Sequence, residues 1–154
     1  MNRLRNLTLS LLAQAFFVAA AFAQTHGTAA EAKALAEKAI AEIKAVGPEK
    51  AFEEFSAKDG KWQDRDLYVF ANGYDGTTLA HGANKALVGK NLLDMKDANG
   101  KQFLKEMTDL AKAKGSGWVD YLWTSPQTKK TEPKSTYVLS IPGFSGFVGV
   151  GVYK

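Results

Sequence analysis

The spacing of apolar residues changes from helical to alternating near Asp66, and this change constrains the fold more than any other feature. Residues 29–55 place apolar side chains three and four positions apart, as amphipathic helices do. From Asp66 onward, apart from one further helical segment, the structured segments favour β-branched and aromatic residues, as strands do. Runs of helix and runs of strand are thus segregated, which predicts an α+β domain with an antiparallel sheet.

Local signals set the bounds of the predicted helices. Thr28-x-x-Glu31 is a capping box, and it predicts a long helix over residues 29–46. Gly47-Pro48 ends this helix, and the proline can begin another. The two further helices predicted are a short one anchored by Phe52 and Phe55, and one over residues 101–114.

Five strands are predicted between turn signals. Asn72-Gly73 and Asp75-Gly76 favour tight turns, so the strands on either side of them should form a hairpin. Residues 82–100 are rich in turn formers and predict an ordered loop with a short helical turn. The strands are expected at residues 67–71, 77–81, 118–124, 135–141 and 147–153.

The first 23 residues form a distinct segment. Arg3 and Arg5 precede an apolar run that ends in Ala21-Phe22-Ala23. This order is typical of a secretory signal peptide, and the apolar run is shorter than the ~20 residues that a membrane span needs. We expect cleavage after Ala23, a periplasmic location, and a single domain over residues 24–154.

Composition excludes several classes of function. The chain has no cysteine, which excludes disulfides, thiol catalysis and cysteine-rich zinc sites. Its net charge is +4, and it falls to +2 when Arg3 and Arg5 are removed with the signal peptide. A domain so close to neutral has no nucleic-acid footprint, and we expect no nucleic-acid partner.

No catalytic or metal-binding set stands out, so we predict neither an enzyme nor a cofactor. Of the two histidines, His26 lies at the new N-terminus and His81 stands alone. The cluster of Asp94 and Asp97 before Gly100 fails as a calcium loop, because the first ligand position would fall on Met95. No nucleophile elbow and no phosphate-binding glycine loop are present.

Aromatic residues are concentrated on the predicted strands. They are either a packed core or the wall of a pocket, and composition alone favours a core for most of them. Strand alternation places Tyr121 and Trp123 on one face and Trp118 on the other. A lysine, Lys134 or Lys90, would supply a cation if a pocket exists.

Several segments of the chain resemble one known family. They are Asp66-Leu-Tyr-Val-Phe70, Leu79-Ala-His-Gly82, Leu87-Val-Gly-Lys-Asn-Leu92, Gly115-Ser-Gly-Trp-Val-Asp-Tyr121, Glu132-Pro-Lys-Ser-Thr-Tyr-Val138 and Gly149-Val-Gly-Val-Tyr153. In this order, over roughly residues 30–154, they resemble the single Cache domain, type 2. The resemblance implies a PAS-like antiparallel sheet with a long N-terminal helix packed on it. It also implies an extracytoplasmic sensor for small organic acids such as acetate, lactate or pyruvate.

The resemblance also implies a ligand site on the face of the sheet away from the long helix. The candidate ligand-binding residues are Tyr68, His81, Tyr121, Trp123, Lys134 and Tyr137. Lys134, which would sit at the mouth of the cavity, is the expected contact for an anion. Trp118 is expected to be a buried structural residue and Trp123 to lie nearer the ligand.

Typical members of the family continue into a second membrane span and a signalling domain. This sequence stops after the last strand, so a free-standing exported domain is expected, with a membrane receptor or sensor kinase as its partner. A homodimer through the N-terminal helix is a further expectation. The alternative is an exported structural or partner-docking domain with a filled core and no ligand.

Overall fold

The capping box forms and begins the first helix as predicted. The structure is a computed structural model that describes residues 25–58 and 60–154, so the predicted signal peptide lies outside the described residues. The Thr28 hydroxyl accepts a hydrogen bond from the Glu31 amide at 3.2 Å, and the Glu31 carboxylate accepts one from the Thr28 amide at 2.7 Å. Helix α1 is Ala29–Val46, and Pro48 opens helix α2, Pro48–Phe55.

The rest of the chain forms one antiparallel sheet and one more helix, which confirms the α+β prediction. The strand order is β1-β2-β6-β5-β4, and β3 pairs with β2 beside β1. The elements are β1 (Gln63–Asp64), β2 (Leu67–Gly73), β3 (Thr78–His81), a 3₁₀ turn (Lys85–Leu87), α3 (Phe103–Lys114), β4 (Ser116–Thr124), β5 (Thr131–Ser140) and β6 (Gly146–Tyr153).

The predicted turn at Asn72-Gly73 is wrong. Both residues remain in β2, where they pair with β6 at Phe147 and Gly146. The Asn72 side-chain amide also donates to the Thr78 hydroxyl at 3.1 Å. The chain reverses only afterwards, through Asp75-Gly76. Sheet pairing on both edges of β2 thus overrides the local turn preference of an Asn-Gly pair.

One further boundary differs from the prediction in a way that matters for the site. Strand β5 begins at Thr131, four residues earlier than the predicted start at residue 135. Lys134 is therefore inside the strand, opposite Tyr121 of β4, rather than in the connection before it. The polar composition of residues 131–134 gave no strand signal, and pairing with β4 makes this segment a strand.

The two faces of the sheet carry separate cores. The helix-side core lies between the sheet and α1 with α2, and the α3-side core lies between the sheet and α3. Fully buried alanines of α1 let the helix approach the sheet closely, while the predicted apolar positions Leu35, Ile40 and Val46 are only half-buried at its flanks. The alanines are Ala32, Ala36 and Ala39.

Within residues 25–58 and 60–154, no helix combines the length and apolar character needed to cross a bilayer.

Candidate ligand-binding site

An aromatic cavity lies on the α3 side of the sheet, on the face away from α1. It offers about 20 Å³ to the centre of a water-sized sphere, somewhat more than the roughly 10–15 Å³ that one water needs. Its walls come from strands β2, β3 and β4, from α3 and from the loop before it. The lining residues are Tyr68, Phe70, Asn72, Thr78, His81, Leu92, Phe103, Leu104, Tyr121 and Trp123.

Lys134 lies beside this cavity and is buried with a single hydrogen bond. Its side chain is 1% exposed, and its ammonium donates to the Tyr68 hydroxyl at 2.7 Å. The same nitrogen lies 4.1 Å from the centre of the Tyr68 ring and 5.0 Å from that of Tyr153. Among the described residues, no carboxylate forms an ion pair with it.

Burial lowers the pKa of Lys134 to about 7, because the charged form loses its hydration, and the more distant carboxylate of Asp66 opposes this effect only in part. A buried ammonium with one neutral hydrogen-bond partner is costly. An anion bound in the adjoining cavity would offset that cost. Lys134 thus places a buried cationic group next to an otherwise aromatic cavity.

Gly151 makes the position of Lys134 possible. It lies on β6, the neighbour of β5, and a Cβ atom at this position would overlap the Lys134 side chain and the Thr136 hydroxyl. The lysine stem thus occupies space that any other residue at position 151 would fill. The alternate glycine, Gly149, leaves the corresponding space for the Phe70 ring.

His81 is a neutral hydrogen-bond donor in the cavity wall. The backbone amide of Asn84 donates to its Nδ1 at 2.9 Å, which leaves the ring proton on Nε2. Burial, and then the charge of Lys134, lower the pKa of His81 to about 3. The ring packs on Tyr68, with centroids 5.0 Å apart, so the histidine is fixed in place and uncharged at neutral pH.

The remaining wall is built by ring stacking. Phe103 of α3 lies parallel to Tyr121 at 4.7 Å and edge-on to Trp123 at 5.4 Å. The Tyr121 hydroxyl is hydrogen-bonded to the Thr136 hydroxyl at 3.1 Å, and burial raises the pKa of Tyr121. The aromatic residues are thus held by each other and present one apolar wall.

Five of the six predicted site residues come together here, and Tyr137 does not. Tyr68, His81, Tyr121 and Trp123 line the cavity and Lys134 adjoins it. Tyr137 lies in the helix-side core. The reason is strand alternation: positions 134 and 137 of one strand are three residues apart and point to opposite faces, so the prediction could not hold for both residues.

Trp118 is not the buried residue that was predicted. It is on the opposite face from Trp123, as expected, but it is 41% exposed. Helix α1 packs over β6 and β5 and does not reach the edge strand β4. Trp118 packs against the Tyr137 ring, with centroids 5.3 Å apart, and keeps one side open to solvent.

Sequence reasoning also missed several residues of the wall. Phe70 and Asn72 share the parity of Tyr68 on β2, so alternation alone could have found them. Phe103 and Tyr153 reach the site from elements whose placement the sequence does not reveal. The missed residues are Phe70, Asn72, Thr78, Leu92, Phe103, Leu104 and Tyr153.

The chain resembles domains of bacterial chemoreceptors and sensor kinases. It is 35% identical over 89 residues to the sensor histidine kinase MctS of Rhizobium johnstonii, and this match covers 58% of the chain and 19% of the kinase. It is 29% identical over 90 residues to the methyl-accepting chemotaxis protein McpP of Pseudomonas putida, covering 58% of the chain and 16% of the receptor. The chain thus spans less than a fifth of either relative.

Solved structures share the fold. A methyl-accepting chemotaxis protein of Vibrio parahaemolyticus superposes with a TM-score of 0.70 at 25% identity, over 80% of this chain and 86% of that one. A Cache chemosensory domain studied for carboxylic acid recognition superposes with a TM-score of 0.68 at 24% identity, over 80% of this chain and 91% of that one. The second likeness concerns the fold alone.

The sequence profile of one family, described as "Single Cache domain 2", matches residues 2–154. This match covers almost the whole chain, and the sheet, the long first helix and the receptor-like neighbours agree with it. The chain belongs to the single Cache domain 2 family.

Proposed function

We propose that this domain binds a small monocarboxylate in the aromatic cavity, with Lys134 as its counter-ion. The observation that carries the proposal is the burial of the Lys134 ammonium with one neutral partner and no acid. A carboxylate would provide the missing charge, and a hydrogen bond between ionised groups is about twice as strong as one between neutral groups.

The neighbours of Lys134 suit a carboxylate as well. The Tyr68 hydroxyl accepts from Lys134 at 2.7 Å. Its own proton goes to the Tyr153 hydroxyl over a long 3.4 Å bond, because Tyr153 donates to the Thr124 carbonyl. A ligand oxygen would replace Tyr153 as the acceptor of this proton. His81 has its proton on Nε2 and stays neutral, so it can donate without adding a second buried charge. Lysine, tyrosine and histidine together would supply three donors to the two oxygens of one carboxylate.

The size of the cavity favours the smallest acids. Bonds between carbon and oxygen or carbon are about 1.2–1.5 Å long, so the atoms of acetate lie within that distance of its carboxyl carbon. The cavity offers about 20 Å³ to the centre of a water-sized sphere, and this space is wide enough for the few atoms of acetate. We therefore expect two- and three-carbon acids to bind more tightly than four-carbon acids.

The setting of this binding belongs to the same proposal. The relatives are parts of a chemoreceptor and a sensor kinase, and Cache domains are extracytoplasmic. We infer that the domain works in the periplasm after removal of residues 1–23. There it would bind a receptor or sensor kinase differently according to whether its cavity holds a ligand. A pairing of two copies through α1 is part of this inference.

The second candidate is a docking domain with a filled core. The narrowness of the cavity favours it, because aromatic rings already occupy most of the α3 side. The two candidates differ in one measurable respect: a filled core has no affinity for acids and leaves the buried charge of Lys134 without a role.

Calorimetric titration of the purified protein with acetate, propionate, pyruvate and succinate separates these candidates. Acetate or a three-carbon acid should bind, and the neutral analogue acetamide should not. Lys134→Met keeps the apolar stem and removes the charge, so acid affinity should fall by roughly 1.5–3 kcal/mol, the worth of a hydrogen bond to a charged group. Lys130→Met, an exposed lysine on the preceding connection, should bind like the parent.

Absence of binding by all four acids would refute the proposal and favour the docking domain. Equal acid affinity in the parent and the Lys134→Met protein would remove Lys134 from the site.

A further inference from the structure

A second, open pocket lies on the other side of Tyr68 from the aromatic cavity. It is larger, with about 330 Å³ available to the centre of a water-sized sphere. Tyr68 lines both spaces, so one aromatic side chain is their common wall. We name this pocket the basic vestibule, lined by Ser56, Lys58, Gln63, Arg65, Leu67, Tyr68, Gly82, Ala83, Lys85, Pro126 and Lys129.

Basic side chains predominate among the described residues that line the vestibule. Among the described residues that line it there are four basic side chains and no acidic one. Arg65 is neutralised, because its guanidinium pairs with Glu31 and with Asp64, both at 2.7 Å. Three cations remain that form no ion pair within the described part of the chain, namely Lys58, Lys85 and Lys129.

At a further surface pocket near Lys134, acidic side chains offset the surface lysines. This shallower pocket is lined by Lys134 and Tyr121 together with Lys101, Lys154, Asp97 and Asp120. There Lys154 pairs with Asp120 at 3.1 Å, and the acids equal the surface lysines in number. The vestibule therefore presents more unpaired surface lysines to an approaching anion than this side does.

We propose that the basic vestibule is the entrance for the anionic ligand and that its three free lysines steer the ligand toward Tyr68. This inference rests on the proposed carboxylate binding and adds the route. Clefts lined by one sign of charge raise the association rate of an opposite charge, by about 10- to 1,000-fold in strong cases, and the effect weakens with salt. Lysines that attract the ligand but do not touch it once bound change its association rate and leave its dissociation rate unchanged.

The test uses acetate labelled with ¹³C and NMR line-shape analysis, which gives association and dissociation rates separately. The triple variant Lys58→Gln, Lys85→Gln, Lys129→Gln removes the free charge of the vestibule. The control variant is Lys50→Gln, Lys96→Gln, Lys105→Gln, three exposed lysines that line neither space. Both variants lower the net charge by the same amount, so a difference between them is local.

At low salt the vestibule variant should associate with acetate about tenfold more slowly than the parent, with an unchanged dissociation rate. The control should differ from the parent by less than about twofold, and added salt should remove the difference between parent and vestibule variant. Equal association rates for the two variants at low salt would overturn the inference. If the triple variant folds poorly, the single charge reversal Lys85→Glu replaces it, and it too should slow acetate association at low salt without changing the dissociation rate.

Failure of this inference and failure of the proposed function are distinguishable. A parent protein that binds none of the acids refutes carboxylate binding itself. A parent that binds acetate with an association rate independent of salt and of the vestibule lysines keeps the binding site and refutes the route.

Discussion

Lys134 is poised between its charged and neutral forms, since burial lowers its pKa to about 7. A bound carboxylate would stabilise the ammonium and raise that pKa, so binding above pH 7 should take up a proton. We predict that acid affinity falls about tenfold for each pH unit above 7, as linkage to one protonation requires. Calorimetry at pH 6, 8 and 9, in buffers with different ionisation enthalpies, measures both affinity and proton uptake. The same affinity at pH 6 and pH 9 would contradict the prediction.

The same residue makes stability depend on pH in the absence of ligand. A lysine has a pKa of about 10.4 when unfolded, so between pH 7 and 10 the unfolded chain binds more protons than the folded one. The free energy of unfolding should therefore rise with pH across this window. Lys134→Met should be more stable than the parent by about 1–3 kcal/mol at pH 6, with the gap closing toward pH 10. Urea denaturation at four pH values measures this, and a constant gap would show that Lys134 is not the cause.

At the scale of elements, β6 decides where Lys134 can lie. We predict that Gly151→Ala displaces the lysine stem, because the added methyl group overlaps it. Acid affinity should drop to the level of Lys134→Met, while overpacking costs roughly 1–3 kcal/mol of stability. The control is Val152→Ala, one residue away on the helix-side face, which should lower stability and leave affinity unchanged. Parent-like acid binding by Gly151→Ala would show that the site adapts around the methyl group.

The two tryptophans of strand β4, Trp118 and Trp123, point to opposite faces of the sheet, so we expect their replacement to have different effects. Trp123→Ala should weaken acid binding at least about tenfold and cost roughly 3 kcal/mol of stability, because it opens the cavity wall. Trp118→Ala should cost only about 1 kcal/mol and leave binding unchanged, since the side chain is 41% exposed. Thermal melts and calorimetry of both variants measure this. Larger losses of stability and affinity in Trp118→Ala than in Trp123→Ala would show that the faces have been assigned wrongly.

Local sequence signals predicted the elements well because their causes are local. The capping box fixed the start of α1 at the predicted residue, and Gly115 ended α3 in the left-handed conformation, with φ 77°. Errors arose where sheet pairing decided the outcome. Asn72-Gly73 became strand through β6, and residues 131–134 became strand through β4.

The sequence allowed most residues of the candidate site to be predicted, but it did not allow their contacts with one another to be predicted. Aromatic residues on alternate positions and one lysine could be read from the sequence, and the family resemblance indicated the face. The order of strands could not be read, because it depends on pairings between distant segments. Without that order, the contact of Lys134 with Tyr68, 66 residues away, has no signal in the sequence.

For the molecule as a whole, the first prediction to check is its export. The charged, apolar and small-residue order of residues 1–23 predicts cleavage after Ala23. Intact-mass analysis of the protein from the periplasmic fraction should give a chain that begins at Gln24. A membrane-fraction protein that retains Met1 to Ala23 would contradict the prediction.

Alternation in the sheet has a consequence for how such a domain can diverge. Neighbouring residues of one strand face different sides of the sheet: Val150 belongs to the helix-side core, whereas Gly151 shapes the space around Lys134. Selection for a new ligand can therefore act on every second residue while the intervening ones keep the fold. Among relatives of this chain, we expect side chains on the α3 side of the sheet to vary with the ligand. Side chains on the helix side should stay apolar and keep the same packing.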